Sequence, residues 1–335
     1  MEVTAMAEPL KLVFMGSDPI ALPLLDWLAG DGRGLVRLVA IVTGPDRPAG
    51  RGQAVKPNAV KAWAAGRPLE LLQPEAPDAA TAAALSALVP DVALVVAYGH
   101  ILRDSLISVP RLGTLNLHAS LLPRYRGASP IQAAVASGDP GTGMTLMRIV
   151  SELDAGPVAD VEAVDIEPLD TASEVEAKLA ACSIPLVARA FAILARGGLA
   201  FRAQDHALAS YCRRLARADG VLDFSRPAPE LSARVNGLHP WPCVAVDIAG
   251  TQVKLGLADA LPGKGPGVPG TVAGADGDGL LVAAGSGILR IRRLQRPGGR
   301  MLGAAEFLRG FPVAAGTVIP SAPMPPLVSA SPFRR

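Results

Sequence analysis

Leu10-Lys11-Leu12-Val13-Phe14-Met15-Gly16-Ser17-Asp18-Pro19 decides how this chain is read. Residues 10–15 make an apolar run of strand length, Gly16-Ser17 gives it an exit, and Pro19 suits the first turn of a helix ending near Leu28. The pattern then repeats. Leu35–Val42, Leu69–Leu72 and Val92–Ala97 read as further strands, and Asn58–Ala65 and Ala79–Leu88 as helices. Strand–helix alternation predicts an α/β fold: a doubly wound, Rossmann-like, mostly parallel sheet with helices on both faces. Ligands of such sheets bind beyond the carboxyl ends of strands, where Tyr98-Gly99 falls. Late strands are predicted over Gly143–Val150 and Val158–Val164. A long helix follows, opened by a Thr171/Glu174 capping box and stopped by Gly197-Gly198.

From about Leu208 the texture changes to short apolar segments separated by Gly and Pro: Val244–Ile248, Gln252–Leu257, Gly270–Val272, Leu280–Ala284 and Ile288–Leu294. That spacing predicts a small antiparallel β-barrel domain. The expected division is a catalytic domain at 1–204, a linker at 205–219, the barrel at 220–319 and a disordered or surface-lying Pro-rich tail at 320–335.

Length and a half-hydrophobic composition fit two domains. Net charge is only +2, but residues 1–198 carry 16 Lys/Arg against 21 Asp/Glu, and residues 199–335 carry 16 against 9. A basic second half suits a polyanionic partner, and equally suits an Arg-rich solvated surface. Cys182, Cys212 and Cys243 have neither disulfide-framework nor zinc spacing, and His100, His206 and His239 stand apart, so no metal is expected. No apolar run approaches the ~18 residues of a membrane span, and no signal peptide is evident. A cytoplasmic chain without membrane attachment is expected, and nothing demands more than a monomer.

Chemistry concentrates in Leu115-Asn116-Leu117-His118-Ala119-Ser120-Leu121-Leu122-Pro123, with Leu153-Asp154-Ala155-Gly156-Pro157 downstream. Side chains alternate along a strand, so Asn116 and His118 share a face. An amide and an imidazole on one face can both reach one small reacting centre, and Asp154 can orient the imidazole. The competing roles are a structural histidine and a turn-forming aspartate. The basic, Gly/Pro-rich loop Pro45–Gly52 is either a surface excursion or a lid whose Arg47 and Arg51 reach phosphate. Arg290 and Arg292, in Arg290-Ile291-Arg292-Arg293-Leu294-Gln295-Arg296, are either a solvated face or a phosphate-contacting edge. The full Gly-x-Gly-x-x-Gly fingerprint after the first strand is absent, which argues against a dinucleotide site.

With Asn-x-His, Ser-Leu-Leu-Pro and Leu-Asp-x-Gly in place, the chain resembles the methionyl-tRNA formyltransferase family from Val13 to about Val318. Two further stretches carry the likeness: Pro45-Asp46-Arg47-Pro48-Ala49-Gly50-Arg51-Gly52, and Arg124-Tyr125-Arg126-Gly127-Ala128-Ser129-Pro130-Ile131-Gln132. The resemblance implies formyl transfer from 10-formyltetrahydrofolate to the α-amine of initiator methionyl-tRNA. It implies catalytic roles for Asn116, His118 and Asp154. It also implies a folate-binding turn at Ser120, Leu121, Leu122 and Pro123, a tRNA contact from Arg51 and an OB-like barrel for the C-terminal domain. Strand-end placement adds Tyr98 and Gly99 as candidate folate contacts, and charge adds Arg47, Arg290 and Arg292 as candidate tRNA contacts. The chain departs from the family at the first strand exit, which reads Met-Gly-Ser-Asp-Pro-Ile, and at His239, where Asn or Asp is commoner. Formyl transfer to another amine, such as an amino sugar nucleotide or a purine precursor, would use the same trio. Hydrolysis of formyl-folate and a catalytically idle RNA- or folate-binding protein also stay open.

Overall fold

The apolar run at Leu10 becomes an inner strand of a seven-stranded sheet in the computed structural model, which describes residues 8–49 and 53–333. Across the sheet the order is Val158–Asp165, Gly141–Arg148, Thr114–His118, Val92–Val96, Leu10–Gly16, Val36–Val42 and Glu70–Leu72. The last five of these pair in parallel, and Thr114–His118 pairs antiparallel with Gly141–Arg148. The chain builds outward on one side of Leu10–Gly16, then returns to the other side with Val92–Val96. The crevice beyond the carboxyl ends of the strands opens where such an order reverses. A Cβ on Gly16 would lie 2.6 Å from the Val96 carbonyl oxygen, so the tight exit requires glycine.

The sheet is apolar on both faces because both are covered. Val13 and Met15, Ala40 and Val42, and Ala93 and Val95 alternate along three neighbouring strands. They share one face with Ala82 and Leu85 of helix Ala79–Ala87. Each large aliphatic buried there contributes roughly 1.5–3 kcal/mol. The capping box forms as predicted: Glu174 accepts from the Thr171 amide (2.9 Å) and hydroxyl, and helix Ala172–Leu194 follows. By length and composition this helix could cross a membrane. Its Val175, Leu179, Leu186, Val187 and Phe191 are fully buried within the protein, as in a core helix.

The chain packs as two units that no single cut along the sequence separates. The first comprises residues up to 126, 143–164 and 177–209; the second comprises 127–142, 165–176 and 210 onward. The second unit is an antiparallel sheet ordered Val244–Ile248, Thr251–Leu261, Ile288–Gln295, Leu280–Ala283 and Val272–Ala275. Helix Ala228–Gly237, which the sequence pattern did not announce, buries Leu231 and Val235 in its core. Asn236 patches the break in strand register at Leu257/Ala258: its amide donates to the Ala258 carbonyl (3.0 Å) and its carbonyl accepts from the Ala258 amide (2.9 Å).

The tail departs from the expected disorder. Ser321 accepts from the Phe224 amide (2.9 Å), Ala322 donates to the Leu222 carbonyl (2.8 Å), and the Pro325 carbonyl accepts from Arg234 (3.1 Å). Leu327 joins the core, and Val328–Ser329 pairs with Tyr211–Cys212. Proline removes a donor but keeps its carbonyl, so a Pro-rich strip is held wherever neighbouring groups supply donors. Composition cannot see those neighbours. Arg334 and Arg335 lie outside the described residues.

Candidate active site

Strand Thr114–His118 buries Leu115 and Leu117 on one face and turns Asn116 and His118 to the other. Asn116 sits between Val95 and Met147 in register, and His118 opposite Thr145. Among the described residues the half-buried Asn116 amide has no hydrogen-bond partner. His118 is buried and donates from Nε2 to the Tyr125 carbonyl at 2.9 Å. A carbonyl can only accept, so that nitrogen carries the proton and the other, Nδ1, is the one turned to Asp154. The Nδ1 to Asp154 Oδ2 distance is 3.7 Å, within ion-pair range but too long for a hydrogen bond. The structure therefore brings the predicted His–Asp pair together, but the ring is oriented by the Tyr125 main chain.

The Ser-Leu-Leu-Pro turn hangs on hydroxyls. Ser120 is fully buried and donates to the Arg124 carbonyl (2.6 Å). Thr145, from the neighbouring strand, donates to the Ser120 carbonyl (2.6 Å) and accepts from the Leu122 amide (3.1 Å). The Ser120 side chain thus shapes the turn, in which Leu121, Leu122 and Pro123 are half-buried. Tyr98 is buried among core residues that include Leu102 and Leu106. Burial pushes its phenol up to about 12, and its hydroxyl has no hydrogen-bond partner among the described residues. Gly99 follows in the left-handed region (φ 80°) at the exit of the strand.

Two further residues support the site, Arg126 of the Arg124–Gln132 stretch and Gln204, which sequence reasoning missed. Arg126 is fully buried, with Nη2 and Nε donating to the Gln204 carbonyl oxygen at 2.7 and 3.2 Å. The Gln204 amide donates in turn to the main-chain carbonyls of Asp154 (2.9 Å) and Gly156 (2.7 Å). A lone Gln in an irregular segment carries no sequence pattern. Only the buried charge of its partner marks it.

Arg47 lies on a two-stranded hairpin, Arg47–Ala49 with Ala54–Lys56, where it is exposed and paired with Glu75 (2.6 Å). Arg51 lies outside the described residues. The base of the hairpin is locked: Asp46 pairs with Lys61 (2.7 Å), and Asn58 caps its helix while donating to the Gly44 carbonyl (2.8 Å).

Arg290 and Arg292, expected on a phosphate edge, sit in an ion-pair network with aspartates. Arg290 pairs with Asp259 (2.6 Å), Asp276 (3.3 Å) and Asp278 (3.4 Å), and Arg292 with Asp259 (2.9 Å) and Asp278 (3.7 Å). Burial alone would raise the Asp259 carboxyl, but the two guanidinium groups outweigh it and hold it below the ordinary carboxylate range. Their charge is already answered, whereas Lys254 and Arg293 on the same sheet are exposed.

The sequence matches the Formyl transferase family over residues 10–190 and the Formyl transferase C-terminal domain over residues 214–312. It is 44% identical to the methionyl-tRNA formyltransferase of Pseudomonas paraeruginosa, covering 92% of this chain and 99% of that one. Among solved structures, an N-formyltransferase from Helicobacter canadensis, in complex with folinic acid and dTDP-3-aminofucose, superposes with a TM-score of 0.63 at 16% identity. That match covers 84% of this chain and 99% of the other. HypX from Aquifex aeolicus, in complex with tetrahydrofolic acid, gives a TM-score of 0.60 at 14% identity over 89% of this chain. This chain spans 47% of HypX, and at such identities the likeness is one of fold. The chain belongs to the formyl transferase family and, within it, to the methionyl-tRNA formyltransferases.

Proposed function

We propose that this chain transfers a formyl group from 10-formyltetrahydrofolate to the α-amine of methionine on initiator tRNA. The observation that carries the proposal is the pairing of His118 Nδ1 with the Asp154 carboxylate on the strand end that also presents the Asn116 amide. Membership of the family over nearly the whole chain supports it.

The α-amine has an ordinary pKa near ~7.7–8, so a useful neutral fraction exists at neutral pH. Its nitrogen attacks the formyl carbon, the bond from that carbon to folate N10 breaks, and one amine proton leaves for N10. Asn116 and His118 would donate to the oxygen on which charge develops. Because His118 Nε2 is engaged by Tyr125, the donor would be Nδ1–H of a doubly protonated imidazolium, with Asp154 as its counter-charge and as a route for the proton. Leu121, Leu122 and Pro123 would hold the donor, with Gly99 leaving the strand exit open to it. No covalent acyl-enzyme is needed.

Arg47, Arg51 and the basic region at residues 199–335 would hold tRNA through phosphates, with residues 1–204 as the catalytic domain and 220–319 as the tRNA-binding one. Arg290 and Arg292 enter this scheme as structural pairs, and Arg293 and Lys254 take the phosphate role. We place the activity in the cytoplasm, with a single chain sufficient. The test is a panel of charged initiator tRNA, charged elongator tRNA and an amino sugar nucleotide, each with 10-formyltetrahydrofolate. Fast turnover on the initiator alone is expected; transfer only to the sugar nucleotide would overturn the choice of acceptor.

A further inference from the structure

We infer that Gln204 is a positioning residue for the transfer step, acting through Asp154, and that Arg126 is buried in order to hold it. The inference rests on the catalytic role proposed above for His118 and Asp154.

Fully burying a guanidinium is expensive unless it is paired and hydrogen-bonded. Arg126 is fully buried, its Nη1 lies 3.8 Å from the exposed Glu152 carboxylate and 3.4 Å from His206 Nδ1, and it donates twice to the neutral Gln204 amide oxygen. Two guanidinium donors on one amide oxygen settle which end of Gln204 is which. Its NH2 group must then face the other way, and it spans the carbonyls of Asp154 and Gly156. Those residues bracket the turn that carries the carboxylate. Asp154 itself holds a left-handed backbone conformation (φ 51°), which needs outside support in a residue with a side chain. The same turn is pressed against its neighbouring strand at Gly156, where a Cβ would come 1.8 Å from the Arg148 carbonyl oxygen.

The arrangement links both halves of the His–Asp pair to two consecutive residues. The Tyr125 carbonyl orients His118, and the Arg126 guanidinium, through Gln204, fixes the main chain of Asp154. At 3.7 Å the two side chains do not hold each other by a direct hydrogen bond. Their spacing is therefore set from outside, by this pair of residues.

Gln204→Glu tests the inference, because glutamate can keep the contact to Arg126 while losing the donors to Asp154 and Gly156. Gln204→Met, which loses both, is the second variant should the first fail to fold. Transfer kinetics are measured in the wild-type and Asp154→Asn backgrounds, with peptide-resolved hydrogen exchange over residues 150–158. The expected result is a kcat about 10- to 100-fold lower with KM for both substrates within about 2-fold. Exchange over the turn should be faster, and the variant should have no added effect in Asp154→Asn. An equal loss in both backgrounds, or a loosened turn with unchanged kcat, would overturn the inference. Wild-type rates in Asp154→Asn and His118→Ala would instead overturn the catalytic reading on which it rests.

Discussion

Arg126 and the Arg290/Arg292 pair are both arginines in motifs that looked functional, and the structure treats them in opposite ways. In the first unit Arg126 is sunk completely and directs two donors to a neutral amide that grips the candidate site. In the second unit Arg290 and Arg292 are met by Asp259 on the neighbouring strand and by Asp276 and Asp278 in the turn after Val272–Ala275. The desolvation of a fully buried guanidinium must be offset by its partners, and for Arg126 these include the Gln204 amide oxygen and the Glu152 carboxylate. One surrounded by carboxylates is a local ion-pair network whose charge has little left for an outside phosphate.

That contrast predicts substitutions of different size and kind. The largest effect belongs to the face that Arg126 supports: Asn116→Ala should cost ~10²–10³ in turnover, with tRNA affinity little changed, by steady-state kinetics beside a binding titration. Near-normal turnover would remove Asn116 from the chemistry. Arg126→Leu comes next. It strands the buried Gln204 oxygen without these donors, a loss of about 1–3 kcal/mol in a denaturant melt, together with a fall in kcat. In the second unit Arg290→Ala should cost about 1 kcal/mol of stability and leave the salt dependence of tRNA binding as it was. Arg293→Ala should do the reverse, lowering the log–log salt slope by about 1. An equal loss of slope in Arg290→Ala would erase the distinction drawn here.

The smallest effect is a pH dependence. The folded-state Asp259 carboxyl sits below its ordinary value because the arginines favour its charged form. It therefore contributes stability above an unfolded pKa of about 3.9, and that contribution is lost as pH falls through the lower folded value. Asp259→Asn should be less stable than wild type at neutral pH and should converge on it as pH falls below about 4. Parallel acid profiles would show that the ion pairs contribute nothing.

What could be read from the sequence was what is local. The strand periods of the first sheet, the Thr171/Glu174 cap and the shared face of Asn116 and His118 all follow from spacing within a few residues. Leu-Asp-Ala-Gly-Pro pointed to Asp154 but not to what holds it, since Gln204 lies 78 residues from Arg126 and no periodicity joins them. Alternation put Arg290 and Arg292 on one face, and only the pairing of their strand with Thr251–Leu261 brought Asp259 opposite Arg290. The tail was misread for the same reason, because its order depends on Leu222, Phe224 and Arg234, about a hundred residues earlier.

The most direct test of the central claim is single-turnover formyl transfer from 10-formyltetrahydrofolate to charged initiator tRNA by wild type and His118→Ala, with both proteins saturated. The account predicts rapid formation of formylmethionyl-tRNA by wild type and a rate at least ~10²-fold lower in the variant, with tRNA still bound. Equal rates would contradict it, because the Asn116–His118–Asp154 face would then not be where the formyl group moves.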